Sequence, residues 1–181
     1  MAHFEETLDR KTIFEGRVFS VTHDTVRLEN GRQSTRDVVH HHGGAGIAAL
    51  TDAGELVLVP QFRYATGGEL IEIPAGKLEK DEDPFAAAQR ELGEETGYTA
   101  AAYKDLGYII PTCGYCTEKI YLYAAKGLAL TGQHLDPDEF VTVFTMPLDE
   151  AAARVLSGEI TDSKTAVAVL KLKALRDAGE F

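Results

Sequence analysis

Cysteine is scarce in this chain, which has two cysteines among 181 residues. A disulfide framework therefore does not organise the fold, and a reducing, cytoplasmic setting is expected. Long apolar runs are also missing, because no stretch approaches the roughly 20 apolar residues that a membrane-spanning helix requires. The opening segment MAHFEETLDRK has no apolar signal core. Neither membrane insertion nor secretion is expected.

Basic residues are outnumbered, since 18 Lys and Arg face 29 Asp and Glu and the formal net charge is −11. Nucleic acid is not expected as a partner, because its phosphates bind basic surfaces. An anionic small molecule would need a metal ion and a few well-placed arginines to invert the field locally. The length and the 44 % hydrophobic content suit one soluble domain with a short N-terminal extension.

The residue pattern predicts strands before and after one central helical segment. Asn30-Gly31 is a strong turn signal between two strand-like segments, so an N-terminal β-hairpin is expected. Further strands are predicted near residues 45–51, 55–62, 69–73, 101–110, 119–125 and 140–146, and late helices over 148–156 and 163–178. This order favours an α/β fold with a mixed sheet. Residues 1–42 are expected to form a β-rich extension and residues 43–181 the main domain.

The most informative segment runs from Gly76 to Tyr98 and reads GKLEKDEDPFAAAQRELGEETGY. It sets Glu91, Glu94 and Glu95 on one short helix, where residues three and four apart share a face. Like charges crowded on one patch destabilise a helix unless a counter-charge neutralises them. A hard divalent cation such as Mg²⁺ or Mn²⁺ does so, because it prefers oxygen ligands. The alternative is a solvated acidic face, the usual role of a glutamate-rich helix.

The opposite side of the same segment predicts a buried helix face. Phe85, Ala88 and Leu92 follow the three-then-four spacing of an amphipathic helix. Asp83 suits the N-cap and Gly97 supplies the stop signal. The segment is therefore expected to form a loop, a helix and a loop, with carboxylates opposite the core face.

The complete frame of this segment resembles the signature of the Nudix hydrolases. That pattern specifies a glycine, five residues, a glutamate, seven residues, Arg-Glu, an aliphatic residue, any residue, Glu-Glu, any residue, a glycine and a hydrophobic residue. The chain fills it with Gly76, Glu82, Arg90, Glu91, Leu92, Glu94, Glu95, Gly97 and Tyr98. The resemblance implies an α/β/α sandwich with a mixed sheet. It also implies metal-assisted hydrolysis of a nucleoside diphosphate linked to another moiety.

The resemblance further implies roles for residues inside the frame. Glu91 and Glu95 are expected as the principal metal ligands, with Glu94 as an additional or water-linked ligand. Glu82 and Arg90 are expected to hold the loop against the helix as a charge pair. For that pair, a structural role is at least as well supported as a catalytic one.

Segments outside the frame resemble the ADP-ribose pyrophosphatase branch, namely LVLVPQFRYATGGELIE, IEIPAGKLEKDEDP and GEITDSKT. In that branch the carbonyl of Ala75 is implied as a metal ligand, Arg63 as a contact to a substrate phosphate, and Glu72 as a neighbour of the substrate. Arg63 offers a planar fork to two phosphate oxygens, and a surface salt bridge is its alternative. Gly76 allows bare backbone to approach the metal, or is a plain turn glycine.

The N-terminal extension carries a further implication of the resemblance. In these relatives the extension exchanges between two subunits, so a domain-swapped homodimer is implied. Arg36 and Asp37 match a charged pair that approaches the adenine or ribose of the substrate. An ordinary hairpin ion pair is the alternative for Arg36. The implied ligand is a nucleoside diphosphate sugar such as ADP-ribose.

A general base is expected outside the frame, in the stretch PTCGYCTE at residues 111–118. Relatives carry an acidic loop residue there, and Glu118 falls at that position, so Glu118 is the first candidate for the base. A strand-entry charge is the alternative for Glu118. Glu139 in the segment DPDEF is the second candidate, and Glu94 is the catalytic candidate within the frame.

This loop also departs from the relatives, which usually read Ser-Pro-Gly where this chain has Thr112-Cys113-Gly114. A proline at the place of Cys113 marks ADP-ribose preference in the family. The substrate therefore stays open among ADP-ribose, GDP-mannose, other nucleotide sugars and dinucleoside polyphosphates. The Cys113-x-x-Cys116 spacing also fits a redox dithiol or half of a zinc site. Chance is favoured, because no helix follows and only the histidine run 40–42 could complete such a site.

Two functions from different classes follow from the sequence. The first is a pyrophosphohydrolase that converts ADP-ribose to AMP and ribose 5-phosphate. The second is a Nudix-fold module that senses such a ligand without cleaving it. Binding-only relatives typically lose a glutamate of the frame, and this chain keeps all of them, which favours the enzyme.

Overall fold

The chain packs as two compact units. A computed structural model describes residues 3–133 and 142–181. The first unit comprises Met1–Gly43 with Ile110–Lys119, and the second comprises Gly44–Ile109 with Ile120–Phe181. Within the described ranges, no helix combines the length and the apolar character needed to cross a bilayer.

The first unit is an antiparallel sheet of three strands, β1 (Glu6–Glu15), β2 (Phe19–Arg27) and β3 (Gln33–His41), in that order. The expected hairpin is present as β2 and β3, and Gly31 lies in its turn with a φ of 80°. β1 adds a strand that the sequence analysis did not predict. Its side chains are almost all exposed, so no alternation of buried and exposed positions indicates it.

The loop at residues 110–119 attaches to β3 within this unit. The Val39 N–H donates to the Tyr115 carbonyl over 2.7 Å, and the Thr117 N–H donates to the Val39 carbonyl over 2.9 Å. The His41 N–H donates to the Thr117 hydroxyl over 3.1 Å. This loop is therefore held by backbone hydrogen bonds of the kind that join neighbouring strands.

In its described residues, the second unit is built on a sheet of seven strands and three helices. Their bounds are β4 (Gly44–Leu50), β5 (Glu55–Arg63), β6 (Gly68–Glu72), β7 (Ala75–Lys77), α1 (Pro84–Thr96), β8 (Tyr98–Ile109), β9 (Ile120–Leu130), β10 (Phe144–Pro147), α2 (Leu148–Ser157) and α3 (Ser163–Asp177). The strand order is β10-β5-β4-β9-β8, with β6 paired to β5 and β7 paired to β4. β4 and β9 are parallel, whereas the other pairs are antiparallel, so the mixed sheet is confirmed.

Helices cover both faces of this sheet. On β4, Ala48 and Leu50 pack in a core cluster with residues of α2 and α3. Ile47 and Ala49, which alternate with them along the strand, pack in a second cluster with residues of α1. Alternate residues of a strand face opposite sides, so one fully buried strand supplies both clusters. The unit is the α/β/α sandwich that the sequence analysis expected.

Helix α1 begins and ends where its sequence predicts. The Asp83 carboxylate accepts the N–H groups of Phe85 and Ala86 over 3.1 and 3.0 Å, and so caps the helix. Gly97 ends it in a left-handed conformation with a φ of 73°, which a residue with a Cβ rarely adopts. Leu92 is fully buried in the core cluster, against which Phe85 also packs. This packing fixes which side of α1 carries the glutamates.

The late elements differ from expectation only in their bounds. β9 continues to Leu130, five residues beyond the predicted end. The sequence did not indicate this extension, because the second half of the strand is mostly exposed and buried and exposed positions do not alternate there. The strand predicted over residues 140–146 is seen from Phe144 onward, and its first two residues lie outside the described ranges. Helices α2 and α3 each match their predicted spans to within one residue.

Candidate active site

The glutamates of α1 are packed against the loop that precedes the frame. Glu91 and Glu95 are only 8 % and 5 % exposed, so they do not form a solvated acidic face. The Ala75 N–H donates to Glu95 Oε2 over 3.1 Å. A Cβ at Gly76 would lie 1.8 Å from Glu91 Oε1, so only glycine allows this carboxylate to rest on the loop backbone.

Hydrogen bonds from separate elements hold this loop in place. The Ile73 N–H donates to the Thr165 hydroxyl of α3, and the Ile47 N–H of β4 donates to the Pro74 carbonyl, both over 2.9 Å. The following residues form β7, in which Gly76 pairs with Ala45 of β4. The backbone of Ala75 is therefore positioned by a strand, a helix start and a glutamate together.

Arg90 connects the loop before α1 with the carboxylates on it. Its Nε lies 2.9 Å from Glu82 Oε1, and its Nη1 lies 2.8 Å from both Glu91 Oε1 and Glu94 Oε2. The hydrogen bond to Glu82 is the largest influence on Arg90 and raises its pKa. The same bond lowers the pKa of Glu82. The structure thus contains the charge pair that the family resemblance implies between the loop and the helix.

The oxygen atoms around Ala75 have the chemistry of a site for a hard divalent cation. Two nearly buried carboxylates lie against the bare Ala75–Gly76 backbone, Glu95 at the Ala75 N–H and Glu91 where a Cβ of residue 76 would be. Glu94 is 42 % exposed at its side chain and pairs with Arg90 instead. In the part of the chain that the structure describes, no group of at least three His, Cys, Asp or Glu side chains is arranged to hold a metal. The oxygen donors are of the type that a divalent cation prefers. Arg90 also forms ion pairs with Glu91 and Glu94.

Arg63 and Glu72 form a bidentate pair at the other end of the same loop. Arg63 Nε and Nη2 each donate to a Glu72 oxygen over 2.7 Å. The Glu72 side chain is 2 % exposed, whereas 44 % of the Arg63 side chain is exposed. The hydrogen bond to Glu72 raises the pKa of Arg63, and the charge of Glu95 adds to that increase. Of the α1 carboxylates, Glu95 is the one whose charge contributes to the raised pKa of Arg63.

A lysine that the sequence analysis did not select completes this cluster. Lys164 Nζ contacts Glu72 Oε2, and it lies 3.1 Å from Asp162 Oδ2. Burial on its own raises the pKa of Glu72, but Arg63 and Lys164 outweigh it, and the pKa is lowered overall. Glu72 therefore stays ionised although it is buried. The only sequence signal for Lys164 is its place in the motif GEITDSKT.

The two charged residues nominated in the N-terminal unit do not pair with each other. Arg36 Nη2 lies 2.5 Å from Glu5 Oε1, and Asp37 Oδ1 lies 2.6 Å from His23 Nδ1. Neighbouring residues of a strand point to opposite faces, which explains their different partners. Arg36 therefore forms an ion pair, but its partner Glu5 precedes β1 and is not a residue of the hairpin.

Glu118 lies beside a histidine of the run that precedes Gly43. Glu118 Oε1 is 3.4 Å from His41 Nδ1, and the Gly43 N–H donates to the same nitrogen over 2.9 Å. Glu118 is 27 % exposed at its side chain. Glu139, the second candidate for the base, lies outside the described residues.

The two cysteines of the same loop are free thiols. Cys113 is exposed, whereas Cys116 is partly buried and its backbone forms an isolated parallel β-bridge with Val39 of β3. No helix starts after them, since residues 117–119 lead into β9. The helix opening that a thioredoxin-like dithiol requires is missing from this part of the described chain.

Comparison with known proteins gives the same assignment as the geometry. The NUDIX domain matches residues 40–166, and the nucleoside diphosphate sugar hydrolase N-terminal domain matches residues 5–39. A methanol dehydrogenase activator of Bacillus methanolicus is 42 % identical over 171 residues, 93 % of this chain and 92 % of that protein. An ADP-ribose pyrophosphatase of Bacillus subtilis (strain 168) is 39 % identical over the same shares of both chains.

A solved structure supports the fold separately. The crystal structure of an ADP compounds hydrolase superposes with a TM-score of 0.84, covering 98 % of this chain and 97 % of that chain at 20 % identity. Nudix hydrolases generally use divalent metals, in keeping with the oxygen donors around Ala75. Because the domain match covers most of the chain and carries the filled frame on α1, the chain belongs to the Nudix family and is a Nudix hydrolase.

Proposed function

We propose that this Nudix hydrolase cleaves ADP-ribose to AMP and ribose 5-phosphate with Mg²⁺ or Mn²⁺. The observation that carries the proposal is the packing of buried Glu91 and Glu95 against the Ala75–Gly76 backbone, with the Arg63–Glu72 pair at the start of the same loop. The 39 % identity to an ADP-ribose pyrophosphatase supports the choice of substrate. A nucleoside diphosphate sugar carries the diphosphate that such a set of groups would bind.

The proposed metal ligands are the Ala75 carbonyl, Glu91 and Glu95, with Glu94 as an additional ligand. When bound, the cation supplies charge neutralisation at the diphosphate and a lowered pKa of bound water. Arg90 keeps Glu91 and Glu94 close together, because its Nη1 lies 2.8 Å from a carboxylate oxygen of each. The chain's contribution is to hold these oxygens before substrate arrives, which avoids reorganisation during reaction.

Arg63 is the proposed contact to a substrate phosphate. Its Nε and Nη2 donate to Glu72, and Nη1 donates no hydrogen bond within residues 3–133 and 142–181. The guanidinium is therefore oriented by Glu72, while 44 % of the Arg63 side chain is exposed. A guanidinium held in this way loses little conformational freedom when it binds a phosphate. Glu72 is proposed to lie beside the substrate as the residue that orients Arg63.

Other substrates are alternatives because the loop at residues 111–118 departs from the ADP-ribose pattern at Cys113. GDP-mannose and dinucleoside polyphosphates are the two alternatives, together with a non-catalytic sensing role. The sensing role is disfavoured, because Glu91, Glu94 and Glu95 are all retained.

The experiment is a turnover assay on a panel of nucleoside diphosphate compounds. ADP-ribose, GDP-mannose, a dinucleoside tetraphosphate and ADP-glucose would each be incubated with the protein and Mg²⁺, Mn²⁺ or EDTA, and the products separated by chromatography. We expect AMP and ribose 5-phosphate from ADP-ribose at the highest kcat/KM, and no product in EDTA. A higher kcat/KM for GDP-mannose would assign that substrate instead, and binding without any turnover would support the sensing role.

We also propose a homodimer assembled through the N-terminal unit, and a cytoplasmic location in keeping with the free thiols. β1 is an edge strand, and such edges readily pair with another chain. Ile13 and Phe14 near its end and Phe19 on β2 are 55, 49 and 41 % exposed, a large apolar share for one small sheet. Arg36 and Asp37 lie in the same unit and are proposed to approach the adenine or ribose.

The dimer has a direct test. Light scattering is expected to give twice the 19.7 kDa chain mass, and Phe14→Glu combined with Phe19→Glu is expected to give monomers, because two charges would be buried unpaired at the interface. A variant with the same charge change at exposed Leu156 and Leu170 is the control and should remain dimeric. A wild-type mass of one chain would refute the dimer.

A further inference from the structure

Lys164 occupies a place that helix stability alone does not explain. It lies in the first turn of α3, whose N-cap Asp162 accepts the Thr165 N–H over 2.9 Å. A cation near a helix N-terminus is unfavourable, because that end of the helix dipole is positive. The Lys164 side chain is also only 9 % exposed, and burial of an ammonium group is costly unless a partner compensates for it.

The compensation comes from Glu72, which therefore has two cations on one carboxylate. Arg63 binds both oxygens of Glu72, and Lys164 binds Oε2. Without Lys164, the charge of Arg63 would be cancelled by Glu72, and Asp162 would add a further negative charge to the group. With Lys164, the four side chains sum to zero and the exposed guanidinium keeps its attraction for an anion.

We propose that Lys164 is a positioning residue that neutralises Glu72 and so leaves Arg63 positively charged toward the substrate diphosphate. The inference rests on the proposed function for the role of Arg63. It assigns Lys164 to substrate affinity, although Lys164 acts through Glu72. A simple stabilising ion pair is a weaker explanation, because buried ion pairs contribute little net stability once desolvation is counted.

The variant Lys164→Gln tests this directly, since the glutamine amide can still donate to Glu72 but carries no charge. Lys164→Arg keeps the charge. Lys171→Gln is the matched control, because it removes one lysine charge from the same helix at a side chain that bonds the Leu106 carbonyl over 2.5 Å. For each variant, kcat and KM for ADP-ribose would be measured with Mg²⁺ at several ionic strengths, together with the Tm.

We expect Lys164→Gln to raise KM roughly tenfold, the effect of one unit charge about 10 Å from an anion at an effective dielectric constant near 20. The increase should shrink with added salt, and kcat should change little. Lys164→Arg should restore KM, and Lys171→Gln should leave it unchanged. An unchanged KM with a lower Tm and kcat would show a structural role and overturn the proposal, as would an equal increase in the control.

The test stays decisive if the proposed substrate is wrong. A wild-type protein that fails to hydrolyse ADP-ribose would contradict the proposed function only. Calorimetric titration with inorganic pyrophosphate and Mg²⁺ would then compare wild type with the same three variants. Weaker pyrophosphate binding in Lys164→Gln alone would support the role of Lys164, and equal affinity in all four proteins would reject it.

Discussion

The Glu95→Gln variant is expected to lose at least about 10³-fold in kcat, because loss of a ligand to a cation that contributes several kcal/mol of transition-state stabilisation has an effect of that order. The fold should survive. Glu95 accepts the Ala75 N–H over 3.1 Å, and the amide oxygen of a glutamine accepts the same hydrogen bond. The substitution therefore removes a charge and the proposed metal ligand but keeps the contact that holds the loop.

Three measurements separate the chemistry from the fold. Turnover of ADP-ribose with saturating Mg²⁺ gives kcat, thermal unfolding gives the Tm, and calorimetric titration with Mn²⁺ gives the metal affinity. We expect a Tm close to that of wild type and a markedly weaker affinity for Mn²⁺. Glu150→Gln on α2 is the matched control, since it removes the same charge from an exposed side chain that pairs with Arg154.

Glu94→Gln is a graded comparison on the same helix. The Glu94 side chain is 42 % exposed and binds Arg90, so we expect a smaller loss of kcat for Glu94→Gln than for Glu95→Gln. Near-normal turnover in Glu95→Gln, with a normal Tm, would refute the metal assignment. In that case the buried carboxylates would serve only to hold the Ala75–Gly76 backbone.

The sequence was sufficient where local chemistry decides the structure. The cap at Asp83, the left-handed stop at Gly97 and the buried stripe through Leu92 follow from residue type and spacing alone, and the structure has all three. The contact between Gly76 and Glu91 is different. The pattern marked both residues, but only the structure shows that a Cβ at Gly76 would overlap the carboxylate.

Long-range contacts explain what the sequence did not indicate. Lys164 is 92 residues from Glu72 along the chain, and no periodicity relates the two positions. Strand β1 was not predicted because its exposed residues follow no alternation. Glu5 and Glu72, the partners of Arg36 and Arg63, likewise depend on which strands lie next to each other. Residue type predicts that an arginine needs a partner, whereas tertiary structure decides which carboxylate provides it.

The Glu118→Gln variant is expected to lower kcat by roughly 10²–10⁴-fold, the usual effect of removing a general base. The loop that carries Glu118 is fixed to β3, because the Thr117 N–H donates to the Val39 carbonyl and the His41 N–H donates to the Thr117 hydroxyl. A base held on such a loop needs little reordering before it accepts a proton. The substitution keeps the size and polarity of the side chain but removes its ability to act as a base.

The pH profile distinguishes a base from a residue that only supports the loop. If Glu118 accepts the proton, the acid limb of the kcat profile should disappear in Glu118→Gln, and the Tm should stay within a few degrees of wild type. Glu159→Gln, which removes a charge from an exposed residue paired with Arg154, is the control. A wild-type rate and profile in Glu118→Gln would move the role to Glu139, and Glu139→Gln would then be expected to show the loss instead.

His41 Nδ1 is 3.4 Å from Glu118 Oε1. A kcat profile whose acid limb is displaced in His41→Gln, but is still present, would show that the histidine influences the base without replacing it.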